Sequence, residues 1–398
     1  MKVHQVLATL GYGDAIGHEV VGIQQALRSA GYESDIFVET ADSRLERLTR
    51  DYRELLDEDD PGRLLIHHFS IGSRGSRLAY ALPGRMVLVY HNITPPEYFV
   101  DVNPLLVQLC YMGRRELRAY VPRCHLALGD SEFNRQELEE LGFLHTGVLP
   151  VVPGFDHLDG ERDWHVVRDF DDGWTNMLFV GRVIPNKRIE DVIRTFYAYR
   201  RLFNPRSRLL LAGSSSGFEQ YFAMLQQFVA RFAIRDVHFL GHVSDAELAA
   251  CYDVADVFVC ASEHEGFCVP LVEAFHAGVP VIAYSAAAVP ATMDGAGILY
   301  ENKEPGHVAA LVDAVVSNRA LHEAVVSAQE AALGRLLDKD FAATLLGYVE
   351  KVLASPAHPA HEVAPDFWRQ FETAERLEEL RQYRPAIYKA LPEEGART

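Results

Sequence analysis

Two glutamates, Glu265 and Glu273, are the residues of greatest chemical interest, and they lie in the segment EGFCVPLVE. Pro270 is typical of the first turn of a helix, which predicts that Glu265 lies in the preceding loop and Glu273 in the first turn. Backbone N–H groups at a helix N-terminus attract anions, so the residues that begin this helix could bind an anion or a sugar. They are Gly266, Phe267, Cys268 and Val269. A favourable first-turn charge is the alternative explanation of Glu273.

Two cations, Arg182 and Lys187, follow an apolar run in the segment FVGRVIPNKRIEDV. Arg182 stands at the expected end of a strand, and Lys187 comes shortly before a predicted helix. A guanidinium offers a planar fork for phosphate oxygens, and an ammonium offers a mobile point charge. The two could together neutralise a leaving diphosphate. Two solvated surface cations are the alternative.

Three glycines, Gly11, Gly13 and Gly17, separate the first predicted strand from the first helix. Glycine allows the backbone to approach an anion closely, and the helix N-terminus that follows favours negative charge. The spacing is G-x-G-x-x-x-G rather than the G-x-G-x-x-G of dinucleotide sites, and Glu39 is a weak candidate for a ribose-binding acid. Tight packing of a turn is the alternative.

Polar residues also follow two further predicted strands, where doubly wound sheets bind their ligands. His91, in VYHNITPPEYF, could donate a hydrogen bond to a sugar hydroxyl or lie near a reacting carbon, whereas a hydrogen-bonded structural histidine is the alternative. His242 and Val243, in LGHVSDAEL, form a strand-end loop that could bind a nucleotide base through its backbone. Capping of the next helix by Ser244 and Glu247 would also explain that segment.

Short aliphatic runs alternate with longer stretches of helical period, which predicts βα units and a mostly parallel α/β architecture. The strands are predicted at 4–10, 35–39, 63–69, 86–92, 125–131 and 146–152, and again at 177–182, 208–214, 237–243, 256–262, 280–285 and 297–300. Between 153 and 176 the chain is acidic, turn-rich and aperiodic, which indicates a domain boundary. The predicted organisation is an N-terminal Rossmann-like domain (1–160), a C-terminal Rossmann-like domain (176–354) and a C-terminal helix (366–392).

The chain has 398 residues and a formal net charge of -18, which argues against general binding of nucleic acid. An exception is residues 61–125, where eight arginines stand against three acids. Within them, Arg114, Arg115 and Arg118 lie near Tyr111 and Tyr120 and could contact anionic lipid head groups. Solvated arginines, or arginines that face the other domain, are the alternative.

The five cysteines are scattered and never spaced C-x-x-C, which is typical of reduced, buried thiols rather than disulfides or a zinc site. No basic segment followed by a long apolar one begins the sequence, so a secretory signal is not expected. These features predict a cytoplasmic protein that contacts the cytoplasmic face of a membrane peripherally. They do not predict an oligomeric state.

Taken together, the motifs resemble those of the retaining glycosyltransferases of family 4. EGFCVPLVEAFHAGVPVIA is similar to the E-x7-E motif of that family, VGRVIPNKRIEDVI to its G-R-x-x-x-x-K segment, and LGHVSDAELAACYDVADVFV to the stretch that follows. The glycine loop, VYHNITPPEYF and GDSEFNRQEL are similar to its N-terminal half. The family commonly has Gly at the position of Cys268 and small residues at that of Asp14.

This resemblance implies a GT-B fold, in which two Rossmann-like, doubly wound parallel-sheet domains face a cleft and the last helix crosses back to the N-terminal domain. It implies that Glu273 holds the ribose, that Arg182 and Lys187 hold the diphosphate, and that Glu265 and the amides of residues 266–269 lie against the donor sugar. His91 would lie near the sugar, and the loop from Gly13 to Gly17 beside the phosphates and acceptor.

The expected function is transfer of a hexosyl unit, with retention, from a UDP- or GDP-sugar to a hydroxyl acceptor, a glycan or lipid-linked glycan of cell-surface polysaccharide synthesis. No cofactor and no essential metal is expected, because the cations would stabilise the diphosphate. The D-x-D-like segment at Asp169–Asp171 fits a solvated acidic loop better than a metal site. A noncatalytic nucleotide-sugar-binding protein, an epimerase and a phosphorylase are the alternatives.

Overall fold

A computed structural model describes residues 1–11, 15–57, 60, 62–151, 154–359, 377, 380–381 and 384–390. The chain divides into two compact units. The first contains Met1–Gly129, Glu137–Gly147 and the described residues from Leu345 onward, and the second contains Asp130–Gln136 and Val148–Thr344. The boundaries at 1–160, 176–354 and 366–392 stay predictions.

The first unit is built on a seven-stranded sheet in the order β3-β2-β1-β4-β5-β6-β7. The paired strands whose register is defined run parallel. The strands are β1 (Val3–Leu10), β2 (Ile36–Ala41), β3 (Thr49–Asp51), β4 (Leu64–Phe69), β5 (Arg85–Tyr90), β6 (Leu126–Gly129) and β7 (Thr146–Val148). The helices along this part of the chain are α1 (Ala15–Ser29), α2 (Arg74–Ala81), α3 (Pro104–Ala119) and α4 (Glu132–Leu141).

The second unit is built on a six-stranded parallel sheet in the order β10-β9-β8-β11-β12-β13. Its strands are β8 (Thr175–Val180), β9 (Ser207–Ala212), β10 (Val237–Gly241), β11 (Val257–Cys260), β12 (Val281–Tyr284) and β13 (Ile298–Tyr300). Its helices are α5 (Asp156–Asp159), α6 (Trp164–Phe170), α7 (Ile189–Leu202), α8 (Glu219–Arg231), α9 (Asp245–Asp253), α10 (Val269–His276), α11 (Val289–Met293), α12 (Pro305–Ser317) and α13 (Arg319–Leu337).

The twelve predicted strands are all present, with ends displaced by a few residues, and most of their apolar runs are buried. β4 and β9, for example, are buried at every position, as expected for a parallel sheet covered on both faces. The short edge strand β3 was not predicted, since its sequence, TRD, contains no aliphatic residue.

The interpretation of residues 153–176 as irregular was wrong in part. α5 and α6 form there, and Phe155 and Leu158 are buried in the core of the second unit. Val166 and Phe170 pack against the same core. Each helix has at most seven residues, too few for a helical period to show in the sequence.

After the second unit the chain returns to the first. Helix α14 (Phe341–Leu353) passes from one unit to the other, and a Cβ on Gly147 would lie 2.6 Å from the hydroxyl of Tyr348. Beyond the helix, Arg85 Nε donates to the carbonyl oxygen of Ser355 at 2.7 Å. These contacts attach the end of α14 to the first sheet.

The helix predicted at 366–392 lies largely outside the described residues. Within that range the structure has a short helix, α15, at Pro385–Lys389. Among the described helices, none has both the length and the hydrophobicity that crossing a bilayer requires.

Candidate functional site

The carboxyl ends of three neighbouring strands, β8, β9 and β10, are joined through glycine. Gly181 N donates to Ala212 O at 2.9 Å, and Gly213 N donates to Gly241 O at 2.8 Å. Gly181 and Gly213 have φ values of 147° and 156°, and a Cβ on Gly213 would lie 1.9 Å from Gly181 O. This approach of two backbones excludes any side chain, so glycine is required here. It fixes the peptide that precedes Arg182.

Arg182 itself is exposed, and its Cζ lies 5.5 Å from the centroid of the Phe218 ring. Lys187 ends a 3-10 helix at Pro185–Lys187, and a Cβ on Gly181 would lie 4.0 Å from its Cε. The loop after β8 therefore carries both predicted cations, and Lys187 packs back against the end of that strand.

The ammonium group of Lys187 forms an ion pair with Glu265. Its Nζ lies 2.5 and 2.6 Å from Oε1 and Oε2, and only 16% and 8% of the two side chains are exposed. Burial by itself lowers the pKa of Lys187, but the Glu265 carboxylate outweighs it, so the pKa is raised above its ordinary value. Lys187 is therefore charged across the physiological range.

The loop that carries Glu265 is fixed from two sides. Glu263 N donates to Asn186 O at 2.9 Å, and Asn186 Nδ2 donates to His264 O at 3.0 Å. From α11, Thr292 Oγ1 donates to Phe267 O at 2.5 Å. The carboxylate is thus positioned by backbone contacts as well as by Lys187.

Glu273 lies in the second turn of α10, one turn later than predicted, because the helix begins at Val269. The Tyr252 hydroxyl donates to Glu273 Oε2 at 2.9 Å, and His157 Nε2 lies 3.0 Å from Oε1. Since a carboxylate only accepts, His157 donates, and this hydrogen bond raises its pKa. Burial and then Glu273 raise the pKa of Tyr252 well above its ordinary value. Glu273 is held by two donors.

The segment that joins Glu265 to α10 keeps its donors available. Within the described residues, the backbone N–H groups of this segment donate no hydrogen bond to the protein; they belong to Gly266, Phe267, Cys268 and Val269. Cys268, the residue before α10, has a left-handed backbone with φ 73°. These N–H groups can donate hydrogen bonds to an anion or to the oxygen of a sugar hydroxyl, and the N-terminal end of the helix dipole favours negative charge there.

His91 belongs to the first unit and follows β5. It is buried, its Nε2 lies 2.9 Å from His68 Nδ1, and its Nδ1 lies 3.7 Å from Glu19 Oε2. His68 Nε2 in turn donates to Gln5 Oε1 at 2.8 Å, and Gln5 Nε2 donates to Val20 O at 3.0 Å. Burial and then His91 lower the pKa of His68 well below its ordinary value, so the imidazole of His68 is neutral.

The remaining predicted residues lie at strand ends or helix starts. Gly17 is buried in the first turn of α1, whereas Gly13 lies outside the described residues. His242 is exposed and Val243 half-buried in the loop after β10. Ser244 and Glu247 form the capping box of α9, as the alternative interpretation of that segment expected.

The arginine-rich segment separates into two sets. Arg123 is buried and donates to the carbonyl oxygens of Tyr80, Gly84 and Leu82, so its role is structural. Arg114, Arg115 and Arg118, on α3, instead line a surface cavity of about 580 Å³ together with Tyr111. Tyr120 is fully buried, so its predicted place in an exposed patch was wrong.

The D-x-D-like segment ends α6. Asp169 is exposed and pairs with Arg168 at 2.9 Å, and Asp171 caps the helix through its backbone N–H. The interpretation as a solvated loop was wrong about secondary structure, because Asp169 is helical.

Sequence reasoning missed His157 and Tyr252, the two donors to Glu273. His157 lies in the segment interpreted as a linker, 116 positions from its partner, so local spacing could not reveal the contact. Tyr252 stands in the quoted segment LAACYDVADVFV, where its position before β11 was the available signal. Cys260 was treated only as a buried hydrophobe, although it lies beside Glu265 and Cys268.

Comparison with known proteins adds independent findings. The sequence profile of "Glycosyl transferases group 1" matches residues 161–331. The O-antigen chain mannosyltransferase B of Escherichia coli is 28% identical over 237 residues, which cover 57% of this chain and 60% of that protein.

Solved structures resemble the whole fold at low identity. Sucrose-phosphate synthase from Thermosynechococcus elongatus has a TM-score of 0.68 at 16% identity, covering 88% of this chain and 98% of that one. HepE from Anabaena in complex with UDP-glucose has a TM-score of 0.66 at 16% identity, covering 89% and 100%. With its two parallel-sheet units, the chain therefore has the GT-B fold, and its residues 161–331 are similar to the group 1 glycosyl transferases.

Proposed function

We propose that this protein is a retaining glycosyltransferase that moves a hexosyl unit from a UDP- or GDP-sugar to a hydroxyl acceptor. The observation that carries the proposal is the buried Lys187–Glu265 pair beside the glycine-joined ends of β8 and β9. A buried, preorganised cation stabilises charge that develops on a leaving diphosphate. The group 1 profile match, which includes all of these residues, points to the same chemistry.

Lys187 and Arg182 act on the diphosphate. When the anomeric C–O bond breaks, negative charge grows on the phosphate oxygens. Lys187 holds a charge near them because Glu265 raises its pKa. Arg182, which is exposed, adds a guanidinium fork from the same loop. No metal is needed for this step.

Glu265 acts as a positioning and sugar-binding group rather than as a nucleophile. Both of its oxygens already accept hydrogen bonds from Lys187, at 2.5 and 2.6 Å. Hydrogen bonds to a carboxylate stabilise its charged form and weaken its attack on carbon. This favours front-face transfer, in which the departing phosphate takes the acceptor proton, over double displacement.

Glu273 binds the ribose hydroxyls. Tyr252 and His157 each donate one hydrogen bond to it, and a carboxylate has about four acceptor positions, which leaves positions for a diol. The unbonded amides of residues 266–269 bind the donor sugar or its phosphate, His242 and Val243 bind the base, and His91 and the Gly13–Gly17 loop serve the sugar and acceptor.

The acceptor is a glycan or lipid-linked glycan of cell-surface polysaccharide synthesis. This part of the proposal is supported by the similarity to the O-antigen chain mannosyltransferase. Arg115 and Arg118 are exposed on α3, next to exposed Tyr111. Such a basic and aromatic surface suits peripheral contact with anionic lipid. Co-sedimentation with liposomes that does not depend on anionic lipid would remove this part.

The test is a screen of nucleotide diphosphates by thermal shift, followed by donor hydrolysis and transfer assays with EDTA present. Binding of one nucleotide and transfer to a hydroxyl acceptor are expected. Substitution of Arg182 by alanine should lower turnover by about 10² to 10³ while the protein stays folded.

The alternatives give different products. A noncatalytic nucleotide-sugar-binding protein would bind the donor without consuming it, and an epimerase would release a changed nucleotide sugar with no acceptor. A phosphorylase would require inorganic phosphate. Any of these outcomes, or normal turnover in the Arg182 variant, contradicts the proposal.

A further inference from the structure

Two of the free cysteines lie beside the Lys187–Glu265 pair. Cys260 ends β11 and Cys268 precedes α10, and they are 1% and 9% exposed. Their Sγ atoms and a carboxylate oxygen of Glu265 all lie within 4.8 Å of one another. Two thiols and a carboxylate, all buried, therefore converge on one point.

The backbone at Cys268 indicates that its side chain has a role. Its φ of 73° lies in the left-handed region, which is unfavourable for a residue with a Cβ. Glycine would adopt this conformation without that cost. The chain carries a thiol instead, and that thiol lies beside the thiol of Cys260 and the carboxylate of Glu265. Backbone strain of this kind is concentrated at ligand-binding sites.

We propose that Cys260, Cys268 and Glu265 form a binding site for one thiophilic divalent cation, with Zn²⁺ as the representative ion. Zinc takes thiolate sulfur at about 2.3 Å and carboxylate oxygen at about 2.0 to 2.2 Å in a tetrahedron. The three ligand atoms in such a site are about 3.6 to 3.8 Å apart, within the 4.8 Å that encloses the three atoms here. The fourth position is left for water or a substrate oxygen.

The charges at the site balance with and without the ion. In the free protein two neutral thiols lie beside the Lys187–Glu265 ion pair. Binding of Zn²⁺ forms two Zn–S bonds and one Zn–O bond, and the two thiol protons leave to solvent. Two thiolates and one carboxylate then face Zn²⁺ and the ammonium of Lys187, again with no net charge. Lys187 also orients the ligating carboxylate, as outer-shell donors do in metal sites.

The ion would act as an inhibitor of the proposed transferase. Glu265 cannot at once bind the ion and contact the donor sugar, and the ion would lie next to the amides of residues 266–269. The inference goes beyond the proposed function, which requires no metal, and its test does not use a transfer assay.

The experiment titrates the full chain, freed of metal and kept reduced by a phosphine, with Co²⁺ and then with Zn²⁺. We expect one ion per chain, a thiolate-to-cobalt charge-transfer band that Zn²⁺ abolishes, and release of two protons per ion, read with a pH indicator. The double variant Cys260→Ala/Cys268→Gly should lose both signals. Glycine suits the φ of 73°, so this variant should fold, and its thermal melting is measured alongside.

Cys110→Ala is the matched control, because Cys110 is also a buried free cysteine but lies on α3 of the first unit. It should bind cobalt with the same band and proton release as the unsubstituted chain. A cobalt complex without the thiolate band, the same proton release from the double variant, or no binding by the reduced protein would each overturn the proposal.

Discussion

The two sheets carry buried polar side chains that are paired in different ways. In the first sheet, Gln5, His68 and His91 form a chain of hydrogen bonds around the neutral imidazole of His68. In the second, Lys187 and Glu265 keep full and opposite charges at 2.5 Å. A neutral imidazole can position a hydroxyl, whereas a fixed ammonium can stabilise a diphosphate. In the proposed reaction, the second unit would therefore stabilise the negative charge of the diphosphate.

The strongest test of this comparison removes the ammonium. Lys187→Met should lower turnover by about 10² to 10³, because a preorganised donor to the leaving group is lost. Turnover is measured with saturating donor. Arg188→Met is the matched control, since 34% of the Arg188 side chain is exposed and it pairs with the half-buried acids Glu190 and Glu263. If both variants lose activity equally, the ionic role of Lys187 is wrong.

A second test concerns the backbone that positions these charges. Gly213→Ala should lower the free energy of unfolding by about 3 kcal/mol, since its Cβ would meet the carbonyl oxygen of Gly181 at 1.9 Å. In the first unit, Gly72→Ala would meet the Glu116 carboxylate at 2.0 Å. A side chain can shift where a backbone cannot, so Gly72→Ala should be less destabilising in urea denaturation. Equal losses would contradict this explanation.

A third test separates binding from folding at Glu273. Tyr252→Phe removes one donor to the carboxylate, and a hydrogen bond to a charged group contributes about 1.5 to 3 kcal/mol. We expect nucleotide affinity, measured by calorimetry, to fall by about tenfold or more. Tyr221→Phe removes a similar bond, to Glu190, and should change stability alone. Unchanged nucleotide affinity in Tyr252→Phe would contradict the proposed binding of the nucleotide by Glu273.

The smallest expected effect concerns a buried histidine of the first sheet. Burial lowers the pKa of His67, on β4, to about 3. The unfolded chain, with an ordinary value of 6.5, therefore binds a proton between those two values that the folded chain does not. Stability falls as pH decreases through this window, by at most about 1.4 kcal/mol per pH unit. His67→Gln should reduce the slope between pH 6 and pH 5 in urea denaturation. The same slope in both proteins would contradict the explanation.

Much of the fold could be predicted from the sequence because buried parallel strands are continuous apolar runs. The elements that were missed have no such signal. β3 is three polar residues, and α5 and α6 are shorter than a detectable helical period. The loop positions of Arg182, Lys187 and Glu265 followed from their places at strand ends. The contacts of Glu273 with His157 and of Cys260 with Cys268 could not be predicted from the sequence, since they form only when distant segments fold together.

The return of the chain through α14 has a consequence for biosynthesis. Residues from Leu345 onward belong to the first unit, although Val148–Thr344 of the second unit precede them. A ribosome therefore releases nearly all of the second unit before the first has received its last helix. We expect the second unit to mature earlier, while the first unit waits, incomplete, for the residues from Leu345 onward to emerge.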